Sequence, residues 1–102
     1  MEYQLVLQWP GSTLDNYDEM STLEERLDRG LTGDGIVDGH DEGESETNIF
    51  IITENPKSTF DEVKSLISDH PRWKDVRAAY RELEGERYTV LWPKGLKTFH
   101  VD

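Results

Sequence analysis

Apolar and polar residues alternate from Tyr3 to Trp9, placing Tyr3, Leu5, Leu7 and Trp9 on one side of an extended segment and Gln4, Val6 and Gln8 on the other. This is the pattern of a strand with one buried face, and Pro10-Gly11 ends it. The period then changes. Leu14, Tyr17, Met20, Leu23, Leu27 and Leu31 recur at steps of three and four, which predicts a helix with one apolar stripe. Ser12 or Thr13 is available as its N-cap and Gly30 as its C-terminal stop. Asp15, Asp18 and Glu19 fall in its first turns, where the positive end of the helix dipole favours them. The face opposite the stripe is acidic.

Ile36–His40 and Thr47–Thr53 read as two strands joined by Asp41-Glu42-Gly43-Glu44, whose glycine can supply a positive φ. Asn48 to Ile52 is apolar on both faces, as a central strand covered on both sides or a strand at an interface would be. A second helix is expected after Asn55-Pro56. Thr59 and Glu62 stand at capping-box spacing, Phe60, Val63, Leu66 and Ile67 form the buried stripe, and Asp69-His70-Pro71 closes the helix. Val76–Leu83 and Arg87–Trp92 alternate around Glu84-Gly85-Glu86, giving a final hairpin that Pro93 terminates. The tail from Gly95 to Asp102 carries Leu96, Phe99 and Val101, to add an edge strand or to lie across the core.

The order β-α-β-β-α-β-β is the split βαβ arrangement of a ferredoxin-like α+β sandwich with an added C-terminal strand. Both helices should cover one face of an antiparallel sheet. At 102 residues the chain has room for a single core, so residues 1–102 are read as one domain. Leu, Ile, Val and Phe supply 24 residues, above the share at which highly charged chains stay disordered.

Charge changes the picture. The chain has 22 acidic and 11 basic residues and a formal net charge of −11. Thirteen acids and two bases lie before Ile51, while the remainder holds nine of each. The whole excess therefore belongs to the first helix and first hairpin, an asymmetry that points to an interaction surface. It argues against nucleic-acid backbones and anionic membranes as partners, since both need clustered Lys and Arg. The absence of cysteine excludes disulfides, thiolate zinc sites and Cys nucleophiles. With no basic n-region followed by an apolar core at the N-terminus, and no apolar run long enough for a membrane span, a cytoplasmic protein is expected.

Candidate chemistry concentrates from Asp34 to Glu46, a segment that holds six carboxylates, one imidazole and no Lys or Arg. Calcium-loop spacing fails: counting from Asp34, the third and twelfth positions are Ile36 and Ser45, and counting from Asp38 the twelfth is Ile49. Strand alternation would place Asp38, His40 and Glu42 on one face. They could form a looser hard-cation site, or His40 could act as a general base oriented by Asp38 or Asp41. No nucleophile elbow, Walker loop, His-Glu-x-x-His or dinucleotide fingerprint accompanies them. No catalytic residue, metal or cofactor is therefore assigned. Trp9, Trp73 and Trp92, with Tyr3, Tyr17, Tyr80 and Tyr88, read as packing residues more than as a stacking platform. Arg77, Arg81 and Arg87 do not make the last hairpin an RNA-binding sheet, because the exposed aromatics and basic field that such a sheet needs are missing.

The runs VDGHDEGESETNIFI from Val37 to Ile51 and ERYTVLWP from Glu86 to Pro93 resemble those of a family of small bacterial cytosolic proteins with a ferredoxin-like sandwich. The resemblance implies that fold and origin and carries no activity to transfer. On the residues themselves, the leading expectation is a non-catalytic binding protein whose acidic half meets a basic protein partner, as an immunity-type inhibitor meets a basic toxin or nuclease. Asp38, His40, Asp41, Glu42, Glu44 and Glu46 are the expected partner-binding residues, with the helix acids around them. The alternative is a small enzyme or metal-dependent site centred on His40. A third reading is a homodimer through the Ile49–Ile52 strand or an exposed edge.

Overall fold

A computed structural model describes residues 1–10, 17–42 and 45–101, with Tyr17 described through its backbone. The elements run β1 (Tyr3–Pro10), α1 (Tyr17–Gly30), β2 (Ile36–Glu42), β3 (Glu46–Thr53), α2 (Pro56–Ile67), a short 3-10 helix (Pro71–Asp75), β4 (Arg77–Glu82) and β5 (Thr89–Trp92). One antiparallel sheet of order β2-β3-β1-β4-β5 results. The first four strands make the ferredoxin-like arrangement, and β5 extends it beyond β4. The N-caps expected at Ser12 or Thr13 and the turn glycine Gly43 lie outside the described residues.

Both helices pack on the sheet face that carries Leu5, Leu7, Trp9, Ile49, Ile51 and Ala78. Met20, Leu23 and Leu27 of α1, with Phe60, Val63 and Ile67 of α2, complete this core. Of the two apolar stripes read from helical spacing these residues are buried and Leu31 and Leu66 are partly so, while Leu14 and the Tyr17 side chain lie outside the described residues. Arg26 joins the helices at their far ends, donating to the Leu66 carbonyl and to Asp69 at 2.9 Å.

Val6 and Ala79 face the opposite side of the sheet and are also fully buried. Their cover is the tail: Phe99 packs on them with Tyr88, Val90, Leu96 and Val101 alongside, and the rings of Tyr88 and Phe99 lie 5.0 Å apart. The tail therefore crosses the second face and adds no strand. This also explains why β3 is apolar on both sides. Ile49 and Ile51 enter the helix-side core, Phe50 packs against the tail-side cluster, and β3 lies between β1 and β2.

Two expectations require correction. Thr59 and Glu62 form no capping box, because α2 begins at Pro56 and Thr59 is already inside it. The Thr59 hydroxyl instead meets that of Thr53 at 2.8 Å. Glu62 accepts from the backbone N–H groups of Thr32 (2.7 Å) and Gly33 (3.2 Å), clamping the α1–β2 loop to α2. The other correction is the 3-10 turn after α2, which follows from His70-Pro71. Pro71 occupies its first turn and the His70 ring accepts from the Arg72 N–H at 3.0 Å.

Asp34 makes a second clamp. Its carboxylate accepts from the Thr53 hydroxyl at 2.7 Å and the Glu54 N–H at 2.6 Å. These hydrogen bonds hold Asp34 below the usual carboxylate range, and the Thr32 and Gly33 bonds do the same for Glu62. A carboxyl group more acidic in the folded than in the unfolded chain binds fewer protons when folded, so its contribution is present above the normal carboxylate range and lost as pH falls through it. Urea midpoints should accordingly drop on going from pH 7 to below about pH 4. In Glu62→Gln and Asp34→Asn the acid drop should be shallower than in the parent protein, and an equal drop in all three would place the sensitivity elsewhere.

Candidate functional site

The acidic half of the chain comes together in a groove between α1 and β2. It is lined by Ser21, Glu24, Glu25 and Asp28 from the helix and by Val37, Asp38 and Gly39 from the strand, and encloses about 460 Å³. Helical spacing explains the first set, since Ser21, Glu24, Glu25 and Asp28 are three or four residues apart and share a stripe flanking the buried one. Strand β2 supplies the other wall by a bulge. Ile36 and Val37 pair with Ile52 and Ile51, then Gly39 pairs with Phe50, which leaves Asp38 as the extra residue. Gly39 takes φ +128° there, a conformation open to glycine and costly for residues with a Cβ.

His40 follows the bulge, opposite Ile49, so it faces the helices. Its Nδ1 lies 3.1 Å from Glu24 Oε2, and both side chains are partly shielded, at 32% and 23% exposure. Charge on His40 makes this contact an ion pair, and a neutral ring makes it a hydrogen bond. Neither cation of α1 lines the groove, and Arg29 offsets one of its carboxylates, Glu25. Arg26 is directed to α2, and Arg29 pairs with Glu25 at 2.7 Å along the exposed helix surface. Asp28 and Asp38 are both exposed. In the described residues no three His, Asp or Glu side chains converge in a way that could hold a metal ion.

The six residues singled out from the sequence are divided by the sheet. Asp38 lines the groove, His40 contacts its wall through Glu24, and Glu42, opposite Thr47, is exposed on the face that His40 shares. Asp41 pairs with Asn48 and belongs to the other face, where it is exposed. Glu44 lies outside the described residues. Glu46 is only 6% exposed, so its carboxylate is not available as a surface contact. It accepts instead from Gln8 Nε2 at 2.9 Å and Asn48 Nδ2 at 2.8 Å. Gln8 Nε2 also lies 2.7 Å from the His100 carbonyl oxygen, which ties this polar group to the tail. Glu46 is thus part of the internal hydrogen bonding of the second face. The bulge also removes the simple alternation that grouped Asp38, His40 and Glu42.

Glu24, Glu25 and Asp28 take the places vacated by Asp41 and Glu46. Their signal in the sequence is the three-and-four spacing of acids on α1, which marks an acidic face without showing which strand it adjoins.

No protein-family model, no curated protein and no solved structure matches this chain.

Proposed function

We propose that this chain is a non-catalytic binding protein that uses the α1–β2 groove to engage a basic protein partner, in the manner of an immunity-type inhibitor of a cationic toxin or nuclease. The observation that carries this reading is the convergence of Glu24, Glu25, Asp28 and Asp38 on one open groove whose lining contains no Lys or Arg. Such a one-signed surface accelerates encounter with a cationic domain and fixes its orientation, with an effect that salt weakens. Glu42 widens the negative field on the same face, and the His40–Glu24 contact holds one carboxylate in place at the groove wall.

The test is calorimetric titration of the purified chain with each basic protein encoded beside it, at low and at physiological ionic strength. One of them should bind with 1:1 stoichiometry and lose affinity as salt rises. Asp28→Lys/Asp38→Lys should weaken it by about a hundredfold, since each reversal replaces attraction by repulsion across the interface. Salt-independent binding, or binding indifferent to the double reversal, counts against the groove. The same titration with divalent metal ions bears on the alternative centred on His40, because tight stoichiometric uptake would favour a metal-dependent site.

A further inference from the structure

The opposite end of the sheet has a surface of the other sign. Strand β5 is the edge strand beyond β4, and a groove of about 470 Å³ runs between it and α2. Its floor is apolar, made by Phe60 of α2 with Leu91, Trp92 and Leu96. Lys57, Lys64 and Lys94 stand around it and Asp61 is the one acid in its lining. Lys57, Phe60, Asp61 and Lys64 are three or four residues apart, so one stripe of α2 provides this wall. Lys64 Nζ lies 5.0 Å from the Trp92 ring centroid and 6.0 Å from that of Phe60, and Trp92 in turn packs against Trp73. None of the three lysines forms an ion pair among the described residues.

We propose that this groove takes an extended acidic segment of another protein, laid beside β5 as a sixth strand, with its apolar side chains on Trp92 and Phe60 and its carboxylates on the lysines. Three features favour this occupant. An edge strand presents unpaired backbone groups to an incoming chain, and among the described residues Val90 and Leu91 make no backbone–backbone hydrogen bond outside the β4–β5 ladder. The lysines supply the charge complement for carboxylates in a molecule whose net charge is −11. A second copy is disfavoured, because two such molecules repel each other and pairing β2 of one to β5 of the next would give an open-ended array. The acids on β2 oppose the use of that edge by an acidic segment.

The probe is a set of short, terminally blocked peptides in which Asp or Glu alternates with Val, Leu or Phe, each matched by an analogue with Lys in place of the acid. With the full chain labelled for NMR, acidic members should shift the amide signals of Val90, Leu91 and Trp92 and slow their hydrogen exchange. Lys64→Glu/Lys94→Glu should weaken binding about tenfold. Exposed Lys94→Glu alone, the change least able to disturb folding, should weaken it in the same direction by a smaller factor. The proposal fails if no acidic member moves these signals or if the Lys analogues bind equally. It also fails if shifts appear on α2 without slowed exchange in β5, or if sedimentation shows that the groove is filled by a second copy.

Discussion

Trp9→Ala is expected to remove about 3–5 kcal/mol of stability, the usual cost of truncating a buried aromatic residue to alanine. Trp9 is 1% exposed, lies on the central strand and packs in the helix-side core, so no neighbour can collapse into its volume without displacing a ladder. Its indole also donates to the Arg72 carbonyl at 3.0 Å, tying β1 to the 3-10 turn. Domains of this size are commonly stable by about 5–15 kcal/mol, so the variant should sit near the middle of its urea transition in mild denaturant. Trp9→Phe keeps most of the packing and loses the donor, and about 1 kcal/mol is expected for it. Equal losses in the two variants, read from urea curves followed by circular dichroism, would mean that the hydrogen bond dominates and the packing argument is wrong.

Phe99→Ala should cost about 3 kcal/mol, at the lower end of the same range because Phe99 retains 8% exposure. The loss has a distinct signature. Phe99 caps Val6 and Ala79 and contacts the Tyr88 ring, so its removal loosens the tail from a sheet face that has no helix over it. The variant should bind a hydrophobic dye such as ANS while keeping the far-ultraviolet signal of its helices. Phe99→Leu, which refills much of the volume, should recover more than half of the lost stability. A Phe99→Ala variant with parental stability would show that the tail contributes little to covering the second face.

The sequence discloses the fold more fully than it discloses the site, and particular residues show why. The Leu23-Leu27 stripe reports its environment because period 3.6 directly encodes which face is buried, whereas β1, read from period two as a strand with one buried face, is buried on both, Val6 and Gln8 included. Register is not encoded in that way. The bulge at Asp38 depends on how Val37 and Gly39 meet Ile51 and Phe50, and strand alternation therefore groups Asp38, His40 and Glu42 without it. Glu46 and Asp34 have the same chemistry as Asp38 and Asp41, yet one is internal beside Gln8 and Asn48 and the other clamps Thr53 and Glu54. Only long-range pairing separates these carboxylates from the exposed ones. The basic groove at β5 is hidden for the same reason, since Lys64 and Trp92 are brought together by the packing of α2 on the last hairpin. A neutral charge balance in that half of the chain gives no hint that its lysines gather on one side.

The position of β1 has a consequence for how the chain acquires its structure. Strand β1, made before the other four strands, becomes the middle of the sheet, with Val6 opposite Phe50 on one side and Ala79 on the other. Neither partner is a sequence neighbour, so the closing of two long loops precedes the formation of the central ladders. Until residues 77–82 emerge, β1 has an unpaired edge carrying Leu5, Leu7 and Trp9, the type of segment that nascent-chain chaperones hold. High contact order of this kind makes folding slow relative to helical domains and places its completion after translation of β4.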